Sequence, residues 1–265
     1  QEGAASVSSV AIAVPDGTLD GDLLIAVANQ INVAGRTTTP PAGWTEVTAL
    51  DVDTTVGTHG NSEVYYREAS GENSQDDTYT WTWSGSQVSG VSILCYRGVN
   101  ISGGVWDVTP TTAHVNEGIE NDTTPQVPAI TTNTDGAVLL NIWTGGTTGG
   151  GATGISKTGY QDIKGQNDTT LDDAGRLNFG GGMAFLQKYQ STAGTEAAAD
   201  LTLINATAAA DGSTRVIALL PKVEEISASG TVTFTFDNTV FEQDSGTDKL
   251  LVVDAVDSVT RITRG

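Results

Sequence analysis

The sequence predicts an all-β protein: an antiparallel, jelly-roll-like β-sandwich built from two internally similar halves, followed by a C-terminal β-hairpin appendix. Apolar runs of about four to eight residues, bounded by Gly, Asn, Asp and Pro, recur along the chain, and helical periodicity is nearly absent. The pattern of the first half also returns in the same order in the second half. Together these observations are typical of a sandwich made of short strands.

The runs predict strands in three groups along the chain. In the first half they lie near 6–14, 22–30, 44–50, 62–69, 77–84 and 90–97. In the second half they lie near 127–132, 137–143, 158–164, 182–189, 199–206 and 214–220. The tail adds 230–237, 249–254 and 256–263.

Several segments of the two halves correspond. "DGDLLIAVAN" (20–29) matches "DGAVLLNIWT" (135–144), and "GVSILCYRGV" (90–99) matches "TRVIALLPKV" (214–223). "AGWTEV" (42–47) matches "TGYQDI" (158–163), so that Tyr160 stands where Trp44 stood. These matches indicate an internal duplication.

The duplication predicts a main unit and a tail. The unit covers 1–222, with halves at about 1–100 and 123–222 and a linker at 101–122, and the appendix covers 223–265. The halves are either two sandwiches or two parts of one sandwich with a shared core. The apolar first part of the linker favours a single compact unit.

Charge and cysteine content restrict the functional classes. The chain carries 32 acidic and 12 basic residues, a formal charge of −20, which argues against direct binding to nucleic acid or to an anionic membrane. Its one cysteine, Cys95, cannot form an internal disulfide and is expected to be a buried, inert thiol. No apolar run reaches the length of a membrane span.

The chain carries no recognised catalytic motif. His59 and His114 lie in polar segments, and the sequence has no HExxH, no phosphate-binding glycine loop and no GxSxG. We expect a protein that is not an enzyme and has no cofactor, with Ca²⁺ as the only cation worth considering.

Carboxylate-rich loops are the candidates for such a cation, because Ca²⁺ prefers six to eight oxygen ligands. None of the loops has the EF-hand spacing, and solvated turn residues are the alternative interpretation. The candidate ligands are Asp51, Asp53, Asp76, Asp77, Asp168, Asp172 and Asp173, with Glu72 beside the middle group.

An aromatic row, "TYTWTWSG" (78–85), is the sharpest pattern in the chain. Alternation places Tyr79, Trp81 and Trp83 on one face of a strand. Exposed, this row could stack on sugar rings; buried, it would fill a core. The corresponding positions of the second half include Leu201 and Leu203, which favours the core.

The order "GDLLIAVA … PPAGWTEV … VYYREAS … YTWTWSGS … SGVSILCYRGV" resembles a group of β-sandwich proteins from phage and prophage structural regions and from some bacterial surface proteins. The resemblance covers about residues 8–222 and carries over no catalytic or ligand residue. Its signature, with the aromatic row, comprises Gly21, Asp22, Pro41, Gly43, Trp44, Tyr65, Tyr66, Tyr79, Trp81, Trp83, Tyr96, Arg97 and Gly98.

The resemblance implies a structural protein on the virion exterior, either capsid decoration or cement or a fibre or tail-associated component. Its implied partners are further copies of itself, with a trimer favoured, and the major capsid protein or other virion proteins. The tail is the expected assembly element, with candidate residues Phe234, Phe236, Leu250, Leu251 and Val252, unless it packs on its own domain. The alternative is a secreted or cell-surface carbohydrate-binding or adhesion module, dependent on Ca²⁺ or not.

Overall fold

A computed structural model describes residues 2–30, 34–53, 60–72, 77–111, 114–116, 124–147, 154–163, 181–204, 210–222, 249–254 and 258–263. The chain forms two compact units, Gln1–Lys222 and Val223–Gly265. Almost all regular structure in the described residues is antiparallel β-sheet, which confirms the predicted all-β class. No helix among them is long and apolar enough to cross a membrane.

The first half of the main unit forms one sheet. Its strands are β1 (Glu2–Ala13), β2 (Leu23–Gln30), β3 (Thr38–Thr39), β4 (Thr45–Glu46), β5 (Val52–Asp53), β6 (Asn61–Glu68) and β7 (Thr78–Tyr96), with a 3-10 helix (Thr48–Leu50) after β4. The strand order is β1-β7-β2-β6-β4, with β3 paired to β7 and β5 paired to β6.

The second half forms the other large sheet and three small ladders. Its strands are β8 (Trp106–Val108), β9 (His114–Asn116), β10 (Gln126–Val127), β11 (Ile130–Thr131), β12 (Ala137–Thr147), β13 (Gly154–Ser156), β14 (Gln161–Asp162), β15 (Gly181–Gln190), β16 (Thr195–Glu196), β17 (Ala199–Asp200), β18 (Thr202–Ile204) and β19 (Ala210–Leu219). The sheet order is β14-β15-β12-β19-β8, with β9 on β19, and the ladders are β10-β17, β11-β16 and β13-β18.

The two halves have the same strand order and register in their centres. The order β4-β6-β2-β7 of the first sheet corresponds to β14-β15-β12-β19 of the second. Thr45 pairs with Tyr66 in the first half, and Gln161 pairs with Gln187 at the corresponding place in the second.

Turn contacts repeat between the halves as well. The Asp20 carboxylate accepts a hydrogen bond from the backbone N–H of Gly71 at 2.7 Å. The Asp135 carboxylate accepts one from the N–H of Ala193 at 2.6 Å. The duplication therefore extends from the strand order to individual hydrogen bonds.

The match between β7 and β19 needs a correction of one residue. Asn29 and Thr144 correspond, and they pair with Gly90 and Ser213 respectively. Gly90 therefore corresponds to Ser213, whereas the sequence match placed it against Thr214. The sequence alone could not fix this register, because both runs are largely apolar and share no residue that marks it.

A core shared by the two sheets makes the main unit one sandwich. Alternate residues of β2 point into it, and residues of the opposite sheet meet them. Its central members are Leu23, Ile25, Val27 and Val64 from the first sheet and Leu140, Ile142, Met183, Phe185, Ile217 and Leu219 from the second.

Each sheet also buries its opposite face, which forms an outer core in each half. In the first half, β1 and the first part of β7 lie over the remaining residues of β2, with Trp81 among Leu24, Ala26 and Tyr65. In the second half, the small ladders supply Val127, Ile155 and Leu201 against Trp143, Ala184, Leu186 and Val216. All eight residues of β2 are consequently buried.

Several strand predictions are wrong in detail, since 127–132 and 199–206 each divide into two short strands and 158–164 pairs only over Gln161–Asp162. The segments 77–84 and 90–97 are one continuous strand, because β7 passes from pairing with β1 to pairing with β2 without leaving the extended conformation. The predicted strand 44–50 pairs only over Thr45–Glu46 and then turns into the 3-10 helix Thr48–Leu50. The jelly-roll connectivity stays a prediction.

The C-terminal unit contains a hairpin. Its strands, β20 (Lys249–Asp254) and β21 (Ser258–Thr263), pair from Lys249 opposite Thr263 to Asp254 opposite Ser258. The strand predicted at 230–237, with Phe234 and Phe236, lies outside the described residues. Leu250, Leu251 and Val252 lie in β20.

The aromatic row gives a direct test of the outer core. Trp81 is fully buried, whereas the next residue, Thr82, is exposed. Replacing Trp81 by Ala should lower the free energy of unfolding by about 3–5 kcal/mol, because it leaves a large cavity. The matched change Thr82→Ala should cost less than about 1 kcal/mol. Urea denaturation measures both, and equal losses would contradict this packing.

Candidate functional site

The turn before β4 presents Trp44 to the interior. Gly43 has φ of +87°, a conformation that a residue with a Cβ rarely adopts, and it lets the chain reverse so that Trp44 enters the outer core. The Trp44 ring makes edge contacts with Tyr79 and Trp81, at centroid distances of 5.2 and 5.3 Å. Trp44 is 8% exposed, so the turn forms no open aromatic surface.

A charged cluster closes the turn from outside. The Arg67 guanidinium lies 5.1 Å from the Tyr79 ring centroid, donates to the Ala42 carbonyl at 3.3 Å, and forms an ion pair of 2.5 Å with Glu72. Burial alone would raise the pKa of Glu72, but hydrogen bonds from Tyr79 and the Ser70 N–H, with the Arg67 charge, lower it. Glu72 is thus a structural carboxylate here.

The second half has a related cluster around Tyr160. Gly159 has φ of +81°, and Tyr160 packs at the margin of the outer core. The Lys157 and Lys188 amines lie 4.3 and 5.7 Å from the ring centroid, and both contact Glu196, at 3.3 and 2.6 Å. Burial lowers the pKa of Lys157, although Glu196 opposes the change.

The signature residues Asp22 and Arg97 form another structural contact. The buried Asp22 carboxylate accepts hydrogen bonds from Arg97 Nε at 2.9 Å, from Arg97 Nη2 at 2.8 Å and from the Leu19 N–H at 2.9 Å. These bonds lower the pKa of Asp22 against the effect of burial. Cys95, half-buried beside them, has its thiol pKa raised by burial and is not an activated nucleophile.

The remaining signature residues are also structural or lie on turns. Tyr65 is buried in the outer core, and Tyr66 packs on the shared core with its ring 5.2 Å from that of Trp106. Tyr96 packs against the shared core, and burial raises the pKa of its hydroxyl. Pro41 precedes the Trp44 turn, and Gly98, with φ of +77°, follows β7.

Arg215 is the principal polar side chain between the sheets, and sequence reasoning missed it. It is completely buried on β19 and reaches across to the first half. Its Nε donates to the Leu50 carbonyl at 2.7 Å and its Nη2 donates to the Ser62 carbonyl at 3.1 Å. Its Nη1 donates to hydroxyls of its own half, Thr144 at 2.9 Å and Ser213 at 2.8 Å. The signal was a lone arginine within a strand predicted to be buried.

A cluster of three acidic side chains, Asp51, Glu46 and Glu63, lies beside this contact. The pKa of Asp51 is raised to about 8, mainly by burial. A hydrogen bond with Glu46 and the negative charges of Glu46 and Glu63 also raise this pKa, whereas the positive charge of Arg215 lowers it. Burial also lowers the pKa of Arg215 to about 10, so it stays charged at neutral pH. At neutral pH Asp51 is therefore protonated. The charged Arg215 is held by uncharged acceptors, namely backbone carbonyls and hydroxyls.

The calcium candidates do not assemble into a metal site in the described part of the chain. No group of three or more His, Cys, Asp or Glu side chains there is placed to hold a metal ion. Both oxygens of Glu63 are hydrogen-bonded, to Asn61 at 2.8 Å and to Tyr65 at 2.5 Å. Asp53 instead accepts the Gly35 N–H, at 2.8 and 3.1 Å.

The other candidates are scattered or not described. Asp77 precedes β7, where its carbonyl accepts the Val14 N–H at 2.9 Å. Asp76, Asp168, Asp172 and Asp173, with His59, lie outside the described residues. His114 lies in β9.

The environment of Asp51 predicts a pH dependence of stability. The folded state keeps this proton up to about pH 8, whereas the unfolded state loses it near pH 4, so stability falls as pH rises between these values. Asp51→Asn should therefore raise the free energy of unfolding by about 1–3 kcal/mol at pH 8 and leave it unchanged near pH 3. Urea titrations at several pH values measure the gain, and a pH-independent difference would contradict it.

Two further variants locate the cause of that gain. Glu46→Gln removes the neighbouring carboxylate, so it should give part of the same gain at pH 8. Ala49→Ser alters an exposed side chain of the adjacent 3-10 helix without changing any charge, so it should give none.

The two glycines before the aromatic residues form a matched pair. A Cβ on Gly43 would lie 3.2 Å from Arg67 Nη1, whereas one on Gly159 would meet nothing within 4 Å. Gly159→Ala should cost about 1–2 kcal/mol for the positive φ alone. Gly43→Ala should cost more, because it also displaces the guanidinium. Urea denaturation of both variants checks the order, which the reverse ranking would refute.

Comparison with known proteins gives no family for this chain. No family model, no curated protein and no solved structure matches it. The likeness to phage structural proteins therefore rests on the sequence motifs quoted above.

Proposed function

We propose that this chain is a non-enzymatic structural protein on the exterior of a bacteriophage virion. It acts as a capsid decoration or cement protein, or as a fibre or tail-associated component, through contacts between its own copies and with capsid or other virion proteins. The motifs of the resemblance suggest this role, and the burial of the aromatic residues supports it.

The burial of the aromatic residues is the observation that favours a structural protein over a carbohydrate-binding module. Trp44, Tyr79, Trp81 and Trp83 are each less than a tenth exposed, so the row does not offer a platform for sugar rings. The Trp44 turn is likewise closed by Arg67 and Glu72. The aromatic row and Trp44, which were candidates for a ligand surface, pack inside the sandwich, which weakens the carbohydrate-binding alternative.

The hairpin is a further support. The C-terminal unit is compact by itself and contains the two-stranded β20–β21 ladder. An isolated two-stranded hairpin is marginally stable in water, so such an element gains stability when another surface completes it. A partner subunit or the capsid would supply that surface.

The charge of −20 fits the same role. Like-charged surfaces repel at long range, so the exteriors of particles that display such a protein would not aggregate. The repulsion also means that copies of the chain need a defined, locally uncharged contact in order to assemble.

Particle isolation from the native host tests the proposed function. Phage particles purified on a density gradient should contain the chain in a copy number tied to capsid or tail symmetry. Heads and tails separated from these particles would assign the position. Recovery of the chain only in the particle-free fraction would contradict the proposal.

A glycan titration tests the alternative. Tryptophan fluorescence should stay unchanged on adding glycans, since the tryptophans of the aromatic row and Trp44 are buried. A saturable change that Trp44→Phe abolishes would favour the carbohydrate-binding function instead.

A further inference from the structure

The outer edge of β1 is the longest open strand edge in the described part of the main unit. The strand covers 12 residues and pairs with β7 on one side, and no described strand pairs with the other side. Its pairing is irregular between Gly3 and Ser9 but regular from Ser9 to Ala13, opposite Thr82 to Thr78. A regular edge of this kind presents free N–H and C=O groups to any strand that approaches.

This edge lacks the features that usually protect an edge strand. From Gly3 to Val14 the chain has neither a charged residue nor a proline, although it carries 44 charged residues in total, 32 acidic and 12 basic. Soluble proteins normally place Lys, Pro or inward-pointing charges on such an edge to prevent pairing. The exposed positions Ser9, Ala11 and Ala13 are small, so a strand could approach closely.

The C-terminal hairpin has the complementary properties. β21 is six residues long, similar in length to the regular part of β1, and no described strand pairs with its outer side. From Ser258 to Gly265 the chain carries Arg261 and Arg264 and no acidic residue, in a protein of net charge −20. A strand with one arginine and no carboxylate is thus available to an acidic body whose β1 edge is bounded in the sequence by Glu2 and Asp16.

We propose that β21 of one copy pairs with the β1 edge of a second copy, extending its sheet by the hairpin. Backbone hydrogen bonds would supply the affinity, and the positive charge of Arg261 would orient the strand against the acidic surface. The contact joins two different surfaces, so it repeats from copy to copy and closes into a ring where the rotation allows. This inference rests on the proposed function, because it names the partner of the assembly element.

Cysteine pairing distinguishes contact between copies from contact within one chain. In a Cys95→Ser background, full-length chains with Ala11→Cys are mixed with chains carrying Thr263→Cys, each with a different tag. Oxidation should give a disulfide-linked heterodimer, and Ala49→Cys in place of Ala11→Cys should not, because this equally exposed position lies in the 3-10 helix beside β6, away from the β1 edge. A chain with both cysteines that closes on itself at every concentration would overturn the proposal.

Charge reversal tests the orientation without a cross-link. Ala11→Lys should weaken self-association by about tenfold in low salt, because it places a cation near Arg261, whereas Ala11→Glu should not weaken it. Adding Arg261→Glu to Ala11→Lys should restore association. Sedimentation velocity measures the masses, and equal behaviour of the Lys and Glu variants would refute the contact.

The two proposals fail in different ways. A chain that is monomeric in solution at all concentrations but sediments with phage particles would overturn the β1–β21 contact and leave the virion role standing. A chain that self-associates through these strands but never sediments with particles would do the reverse.

Discussion

The two-sided burial of the central strands is the constraint on which the rest of the structure depends. β2 has no exposed residue, so its alternate side chains need apolar cover on both faces of the sheet. One face of each sheet packs against the opposite half, which makes the shared core. The other face of each sheet is covered by further strands of the same half. A half on its own would expose one of these faces, which explains why the duplicated sequence forms one compact unit rather than two independent sandwiches.

The two halves differ in the layers that form their outer cores. The first half uses a continuous layer of β1 and β7 with Trp44, Tyr79, Trp81 and Trp83, whereas the second uses short ladders with mainly aliphatic side chains. Both place an aromatic residue after a glycine of positive φ, and both close that turn with a basic residue on the neighbouring strand, Arg67 or Lys188. The common feature is therefore structural, and the aromatic residues of the first half pack within its outer core.

Sequence periodicity predicted the strands well where burial alternates or is complete, as in β2, β6 and β15. It failed where a strand changes partner, because residues 85–89 remain extended only through pairing with β1 and β2, which no local pattern records. It also failed at Thr48–Leu50, where three ordinary residues turn to bring the Leu50 carbonyl to Arg215. The role of Arg215 depends on a partner 165 residues away in the chain, so the sequence signalled only that a charge occurred in an apolar strand.

The same balance of burial and charge limits how copies of this protein could meet. A surface with an excess of 20 negative charges repels its copies, so attraction must come from short-range contacts at places without carboxylates. Trp44 and the aromatic row are not available for such contacts, because they are buried in the outer core of the first half. Backbone groups on an uncharged edge such as β1 remain, and their hydrogen bonds need no side chain to specify them. Specificity would then come from the few cations of the chain, such as the two arginines after Ser258.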